Sequence, residues 1–248
     1  MTTLRPAGIF PGLLAAFALL TTPAAQAGLD DGKLQITELA DGLYLHTSYK
    51  MFSNGKYFPS NGLIVVDGTD AWVIDSPWPV ADTPALVAWI NERDLTLRAV
   101  LATHSHDDRT SGFAWLNDKG IDTVALIGTN RFLKVAGKAT ATREFDGQTE
   151  LLPGKIEAFY PGSGHTPDNV VVWLPEHKLL YGGCFVKSLG AKTLGNVADA
   201  RVNEWQASLA TVTRRYPDIE TVVPGHGAVG DTALLRHTGA LVEAALQK

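Results

Sequence analysis

Short apolar runs separated by turn residues dominate the chain between positions 34 and 102. Turn signals such as Asp41-Gly42, Asn54-Gly55 and Asp67-Gly68 lie between these runs. Apolar residues then recur at helical spacing, and a strand follows that helix. The pattern predicts strands at Leu34–Leu39, Leu43–Thr47, Leu63–Val66, Trp72–Ile74 and Ala99–Ala102, and a helix at Asp82–Glu92.

The second part of the chain repeats this theme of short strands and amphipathic helices. We predict strands at Ile156–Phe159, Val170–Leu174, Leu179–Tyr181 and Thr221–Val223, and helices at Gly112–Asn117, Asn130–Ala136, Asn203–Tyr216 and Thr232–Leu246. Two similar halves with strands inside and helices outside indicate a layered α/β sandwich. Its chemistry is expected on loops at the strand ends.

The first 27 residues differ from the rest of the chain. They hold one charge, Arg5, then an apolar stretch at Leu13 to Leu20 and the small-residue pattern Ala25-Gln26-Ala27. This order predicts a secretory signal peptide that is cleaved after Ala27, and it leaves residues 28–248 as the folded domain. The alternative is an N-terminal membrane anchor, but the apolar stretch is short for a membrane span.

Composition favours an ordinary folded protein. Of the 248 residues, 45% are hydrophobic and 19% are charged, and the net charge is -5. No basic run is interleaved with aromatic residues, which argues against nucleic acid as a partner. No heptad pattern suggests assembly, so a monomer is expected. Cys184 is the sole cysteine and cannot form an intramolecular disulfide, so in an exported protein it needs another purpose, such as metal binding.

Two histidines and an aspartate follow the predicted strand that ends at Ala102. In extended geometry residues i and i+2 point the same way, so His104 and His106 can reach one ion, and Asp108 continues the spacing. Imidazole and carboxylate ligands together suit zinc. The alternative is a polar loop with solvated histidines, but three ligand-type groups in this spacing favour a metal site.

Three further ligand-type residues lie just after predicted strands, beside glycines: His165, Cys184 and His226. Six candidates exceed the ligands of one tetrahedral zinc, but they suit two sites with three protein ligands each and open positions for water. The other histidines lack this context and are interpreted as surface or packing residues: His46, His177 and His237.

These residues together resemble the metallo-β-lactamases, in particular the subclass with a cysteine in its second zinc site. The resemblance extends from about Leu34 to the C-terminal helix, and its most specific segments are His104 to Asp108, Tyr160 to Pro175, Gly182 to Ser188, Leu194 to Asn196 and Val223 to Gly227. It implies an αββα sandwich, two Zn²⁺ ions and periplasmic hydrolysis of β-lactam antibiotics, which confers resistance. The expected substrates are penicillins, cephalosporins and carbapenems.

The resemblance also implies a role for each matching residue. His104, His106 and His165 are expected to hold the first zinc, and Asp108, Cys184 and His226 the second. A metal-bound hydroxide would attack the lactam carbonyl, with Asp108 orienting it and assisting proton delivery. Lys187 is expected to bind the substrate carboxylate, Asn196 to bind and polarise the lactam carbonyl, and the hairpin tip at Tyr49 to Phe58 to cover the substrate.

Two positions depart from or vary within the pattern. Ser111 stands where the family often has glycine, and Arg109 is expected beneath the second site near Cys184. Relatives with other activities, such as glyoxalase II-like thioesterases and RNA-processing nucleases, typically have a second histidine in place of Arg109 and a bridging aspartate in place of Cys184. A non-catalytic zinc-binding protein is a further alternative, but closed structural sites use four protein ligands per ion.

Overall fold

A computed structural model describes residues 32–247 of the chain together with Met1. The predicted signal peptide at residues 1–27 lies outside the described residues, apart from Met1. Among the helices of the described part, none is long and apolar enough to cross a membrane.

The first half of the folded region builds a seven-stranded sheet in which the strands follow one another in sequence order. Its strands are β1 (Gln35–Ala40), β2 (Leu43–Met51), β3 (Tyr57–Asp67), β4 (Asp70–Ile74), β5 (Thr96–Leu101), β6 (Asp122–Leu126) and β7 (Arg143–Phe145). Strands β1 to β4 pair antiparallel, whereas β4 to β7 pair in parallel. The parallel part requires crossovers, and these carry α1 (Asp82–Asn91), α2 (Asp107–Thr110), α3 (Phe113–Asp118) and α4 (Ile127–Val135).

The second half builds a five-stranded sheet with the order β12-β11-β10-β9-β8. Its strands are β8 (Gln148–Leu152), β9 (Ile156–Phe159), β10 (Val171–Leu174), β11 (Leu179–Gly183) and β12 (Thr221–Pro224). A single turn of 3-10 helix at Pro175–His177 joins β10 to β11, and α5 (Val202–Arg215) joins β11 to its parallel neighbour β12. The last element, α6 (Ala233–Leu246), packs beside α5.

Three apolar cores hold these elements in four layers. Alternate residues of each strand point to opposite faces, so Leu63 and Trp72 join the core between the sheets, whereas Ile64 packs beneath α1, α3 and α4. Similarly, Val172 faces the first sheet, and Val171 packs against α5 and α6. The predicted αββα sandwich is therefore confirmed.

Most predicted elements agree with the observed ones, but several short elements were not predicted. Among them is α2, which places Asp108 on a helical turn rather than in the extended geometry assumed from the sequence. Strands β7 and β8 were not predicted, because they mix polar or charged with apolar side chains over only three to five positions. Strand β6 was also missed, although its residues after Asp122 are buried and mainly apolar. Strand β3 begins at Tyr57 rather than Leu63, since its first residues pair with the end of β2 in a long hairpin. The helix predicted from Asn130 begins at Ile127.

Candidate metal centre

The first group of metal-ligating side chains consists of three histidines. His104 and His106 follow β5, and His165 lies in the loop after β9. One ring nitrogen from each lies within 4.8 Å of the others, and the ring centres are 4.7–5.1 Å apart. The backbone fixes this arrangement, because the Val170 amide donates to the Thr103 carbonyl at 2.8 Å. The sequence prediction of a three-histidine group is thus consistent with the geometry.

The second group brings together Asp108, Cys184 and His226. Cys184 Sγ lies 3.2 Å from Asp108 Oδ2 and 3.1 Å from His226 Nε2, and His226 Nε2 lies 3.2 Å from Asp108 Oδ2. Ligands of a tetrahedral zinc, at about 2.0–2.3 Å from the metal, lie about 3.3–3.8 Å apart. The three side chains therefore present their donor atoms at nearly the separation that one zinc ion requires.

The β2–β3 hairpin orients the histidine of this second group. His226 Nδ1 donates to the Pro59 carbonyl at 2.6 Å, a contact that orients the ring so that Nε2 faces Cys184 and Asp108. The Asn61 side-chain amide donates to the carbonyls of Pro224 and Gly227 on either side of His226. The loop after β12 is therefore anchored to the first sheet.

Arg109 lies beneath the second group, as expected, and is fully buried. Its Nη2 donates to Asp108 Oδ2 at 2.8 Å and to Cys184 Sγ at 3.0 Å. Gly225 permits this approach, because a Cβ atom there would lie 2.8 Å from the Arg109 guanidinium. A fixed positive charge thus stabilises the ionised carboxylate of Asp108 and lies directly beside the Cys184 sulfur.

Asp75, just after β4, forms hydrogen bonds with the residues on either side of the segment from His104 to Asp108, called the ligand run below. Its Oδ1 accepts the Thr103 amide at 2.7 Å, and its Oδ2 accepts from Arg109 Nη1 at 3.1 Å and from the Tyr181 hydroxyl at 2.7 Å. Thr103 precedes His104, and Arg109 follows Asp108. One buried carboxylate therefore sets the position of the first and last ligands of the run.

The protonation of these side chains suits a cation at the centre. Burial lowers the pKa of His104 and of His165 well below the ordinary value, which keeps both in the neutral form that binds metal. Burial also opposes ionisation of Asp108, yet Arg109 and His226 hold its pKa well below the usual range. Burial likewise opposes protonation of His226, but Cys184 and Asp108 outweigh it and raise its pKa to about 9, so a metal must displace a proton from His226 in order to bind it. The second group is therefore rich in negative charge, and the donor set fits zinc.

A groove of about 900 Å³ lies over both groups of ligands. The hairpin tip forms one wall, where Phe52, Phe58 and Trp78 meet in edge-to-face contacts with ring centres 5.8–6.4 Å apart. Phe58 and Trp78 also pack against the ring of His226, at 5.2 and 5.9 Å. The groove thus joins an apolar wall to a polar floor, which suits a small organic ligand.

Lys187 and Asn196, which the sequence predicts to bind substrate, both line this groove. Burial lowers the pKa of Lys187, whose ammonium lies 5.4 Å from the ring centre of Trp205. The side-chain carbonyl of Asn196 accepts the Ala198 amide at 3.1 Å, so its NH₂ group stays available as a donor.

Sequence reasoning missed three residues of the centre: Asp75, Trp78 and Asp199. Asp199 lies 3.0 Å from His106 Nε2. The left-handed backbone of Asp75, at φ 62°, follows an apolar strand and had no motif to mark it. Trp78 and Asp199 could have been found only from contacts between distant segments. Of the histidines interpreted as packing or surface residues, His46 is buried and bonded to the Asp75 carbonyl.

Comparison with known proteins agrees with this geometry. Residues 55–226 match the family model of the metallo-beta-lactamase superfamily. A metallo-beta-lactamase type 2 of Pseudomonas aeruginosa is 41% identical over 216 residues, which cover 87% of this chain and 86% of that protein. The structure of the DIM-1 metallo-beta-lactamase exposed to ceftazidime superposes with a TM-score of 0.84 at 44% identity, covering 86% of this chain and 98% of that one.

A further similar structure is FIM-1 from Pseudomonas aeruginosa in a mono-zinc form, with a TM-score of 0.83 and 33% identity, covering 88% of this chain and 98% of that one.

The fold, the two groups of ligands and these matches define the class of this protein. The chain belongs to the metallo-β-lactamase family. The family resemblance identified from the sequence is confirmed, and Cys184 lies where the cysteine-containing subclass places it.

Proposed function

We propose that this chain is a zinc-dependent β-lactamase that opens the β-lactam ring of penicillins, cephalosporins and carbapenems and so confers antibiotic resistance. The observation that carries the proposal is the group of three histidines next to the group of Asp108, Cys184 and His226, beneath one groove. Each group leaves open positions for water and substrate, as a hydrolytic zinc site requires.

Two zinc ions occupy the centre in this proposal. His104, His106 and His165 hold the first, and Asp108, Cys184 and His226 hold the second. The similar structure of FIM-1 is described as a mono-zinc form. The number of zinc ions bound per chain, and in particular the occupancy of the second group, therefore has to be measured. Zinc, when bound, lowers the pKa of water toward neutrality and polarises the carbonyl that is attacked.

The chain's own residues orient the substrate around this chemistry. Lys187 binds the carboxylate on the β-lactam nucleus as a point charge, and its partial burial strengthens that attraction. The NH₂ group of Asn196 donates to the lactam carbonyl as negative charge develops there. Asp108 orients the attacking water and assists delivery of a proton to the leaving nitrogen. The aromatic wall at the hairpin tip excludes solvent from the bound ring.

The enzyme acts in the periplasm in this proposal. The charge, apolar stretch and small residues before position 28 support export and cleavage after Ala27, which leaves residues 28–248 as the mature domain without a membrane anchor. A free cysteine in that oxidising compartment is consistent with a zinc-bound thiolate. We propose a monomer, because one chain supplies every ligand.

The proposal is tested by offering the purified, zinc-loaded protein three substrates: a chromogenic cephalosporin, a thioester and a phosphodiester. We expect rapid hydrolysis of the cephalosporin and none of the other two. Hydrolysis of the thioester or the phosphodiester alone would instead favour the other activities of this superfamily. No turnover of any of them would favour a non-catalytic zinc protein.

A further inference from the structure

Lys50 lies at the open side of the groove, beside the second group of ligands. It is exposed near the end of β2, and its register partner on β3 is Phe58. Its ammonium lies over the Trp78 ring, 5.2 Å from the ring centre. Trp78 and Phe58 both pack against His226. The Lys50 ammonium therefore lies against the aromatic wall, where the Trp78 ring contacts both Lys50 and the proposed zinc ligand His226.

The groove has a second lysine on a tryptophan, near candidate ligands of both groups. Lys187 lies over Trp205 at 5.4 Å, and the Trp205 ring is 6.0 Å from the ring of His165. Both lysines therefore rest on a tryptophan, and each tryptophan packs on a ligand histidine. A cation–π contact restrains a flexible lysine and keeps its charge at one place.

The charges around the groove leave Lys50 available for a ligand. The chain as a whole carries a net charge of -5, yet four lysines line the groove: Lys50, Lys56, Lys138 and Lys187. Lys138 is neutralised by Asp107 at 2.6 Å. Within residues 32–247, Lys50 has no carboxylate partner at ion-pair distance. Its positive charge therefore lies at the groove and is not neutralised by a carboxylate of residues 32–247.

We propose that Lys50 and Trp78 form a subsite for an anionic group on the acyl side chain of the substrate. This inference rests on the proposed function, in which Lys187 takes the carboxylate of the β-lactam nucleus. Lys50, Trp78 and Lys187 line the same groove, so in this proposal a substrate whose nuclear carboxylate is bound by Lys187 places its acyl substituent against Lys50 and Trp78. The subsite thus selects β-lactams that carry a second negative charge, while the Trp78 face contacts the apolar part of the same substituent.

The size of the effect follows from the exposure of Lys50. Exposed ion pairs change an equilibrium by up to about fivefold, and salt screens them. We therefore expect the subsite to affect KM rather than kcat, since the second charge lies away from the reacting carbonyl. The advantage of the dianionic substrate should shrink as ionic strength rises.

The test compares benzylpenicillin with its α-carboxy derivative, which differs by one carboxylate on the acyl side chain. In the zinc-loaded Lys50→Met variant, we expect kcat/KM for the α-carboxy derivative to fall about fivefold further than kcat/KM for benzylpenicillin. Lys50→Arg should restore most of the difference, because it keeps the charge. An equal fall for both substrates, or no change in their ratio, would overturn the subsite.

Lys134→Met is the matched control, because it removes the same charge from an exposed position on α4, outside the groove. It should leave the ratio of the two kcat/KM values unchanged. If it changes the ratio as much as Lys50→Met does, the effect is one of net charge and the subsite is wrong. If the unaltered enzyme hydrolyses neither penicillin, the proposed function itself fails, which is a separate result.

Discussion

Replacing Arg109 by methionine is expected to lower the free energy of unfolding by about 3–5 kcal/mol, the cost of breaking a buried ion pair from one side. The guanidinium donates to Asp75, Asp108 and Cys184, and none of its surface is exposed. Zinc can compensate Asp108 and Cys184 in the loaded enzyme. Asp75 has no such partner, so its charge remains buried without a counter-ion.

The pH dependence of this loss has a definite sign. Burial already raises the pKa of Asp75, and removal of Arg109 raises it further. A carboxyl whose pKa rises on folding favours the folded state only while it is protonated, so the destabilisation should grow as pH increases. Urea unfolding of the zinc-loaded variant at several pH values measures both effects.

The double variant Arg109→Met, Asp75→Asn is the control for this experiment. It removes both buried charges, so it should recover part of the stability that Arg109→Met loses. A loss below about 1 kcal/mol for the single variant, the size expected of an exposed pair, would contradict the assigned role of Arg109.

Replacing Cys184 by serine is expected to remove one of the two zinc ions. A serine hydroxyl is protonated at neutral pH and is a poor ligand compared with a thiolate. Loss of even an outer partner of a metal ligand costs 10- to 100-fold in affinity, so we expect at least about 100-fold weaker binding at the second group. Metal analysis after dialysis should find about one zinc per chain, with the three histidines still occupied.

The reciprocal variant His165→Gln serves as the comparison. It weakens the first group and leaves Asp108, Cys184 and His226 in place. With Co²⁺ in place of zinc, the absorption of the cobalt–thiolate bond should persist in His165→Gln and vanish in Cys184→Ser. Two tightly held zinc ions in Cys184→Ser would show that Cys184 is not a ligand.

The candidate ligands could be selected from the sequence because each is marked locally. His165, Cys184 and His226 follow short apolar strands and stand beside glycines, and His104 to Asp108 follow β5 directly. Strand ends that converge at one edge of a sheet bring such residues together. The alternation of apolar and polar residues, together with the turn residues, therefore predicted most of the fold and the candidate ligands.

The supporting residues could not be predicted in the same way, because their partners are distant in sequence. Asp75 reaches Tyr181 across 106 positions, and Arg109 reaches Cys184 across 75. Trp78 follows β4 without any motif, and only the packing of the hairpin places it beside His226. Strands β7 and β8 were missed for a related reason, since short strands with mixed side chains are fixed by their neighbours.

Stepwise return of zinc to the chelated enzyme tests the central claim most directly. Exhaustive chelation should abolish hydrolysis of a chromogenic cephalosporin, and zinc should restore it while two ions bind per chain. The assignment of both groups predicts that bound zinc reaches two equivalents and that Cys184→Ser saturates at one. Full activity after complete removal of metal, or saturation of the unaltered enzyme at a single equivalent, would contradict it.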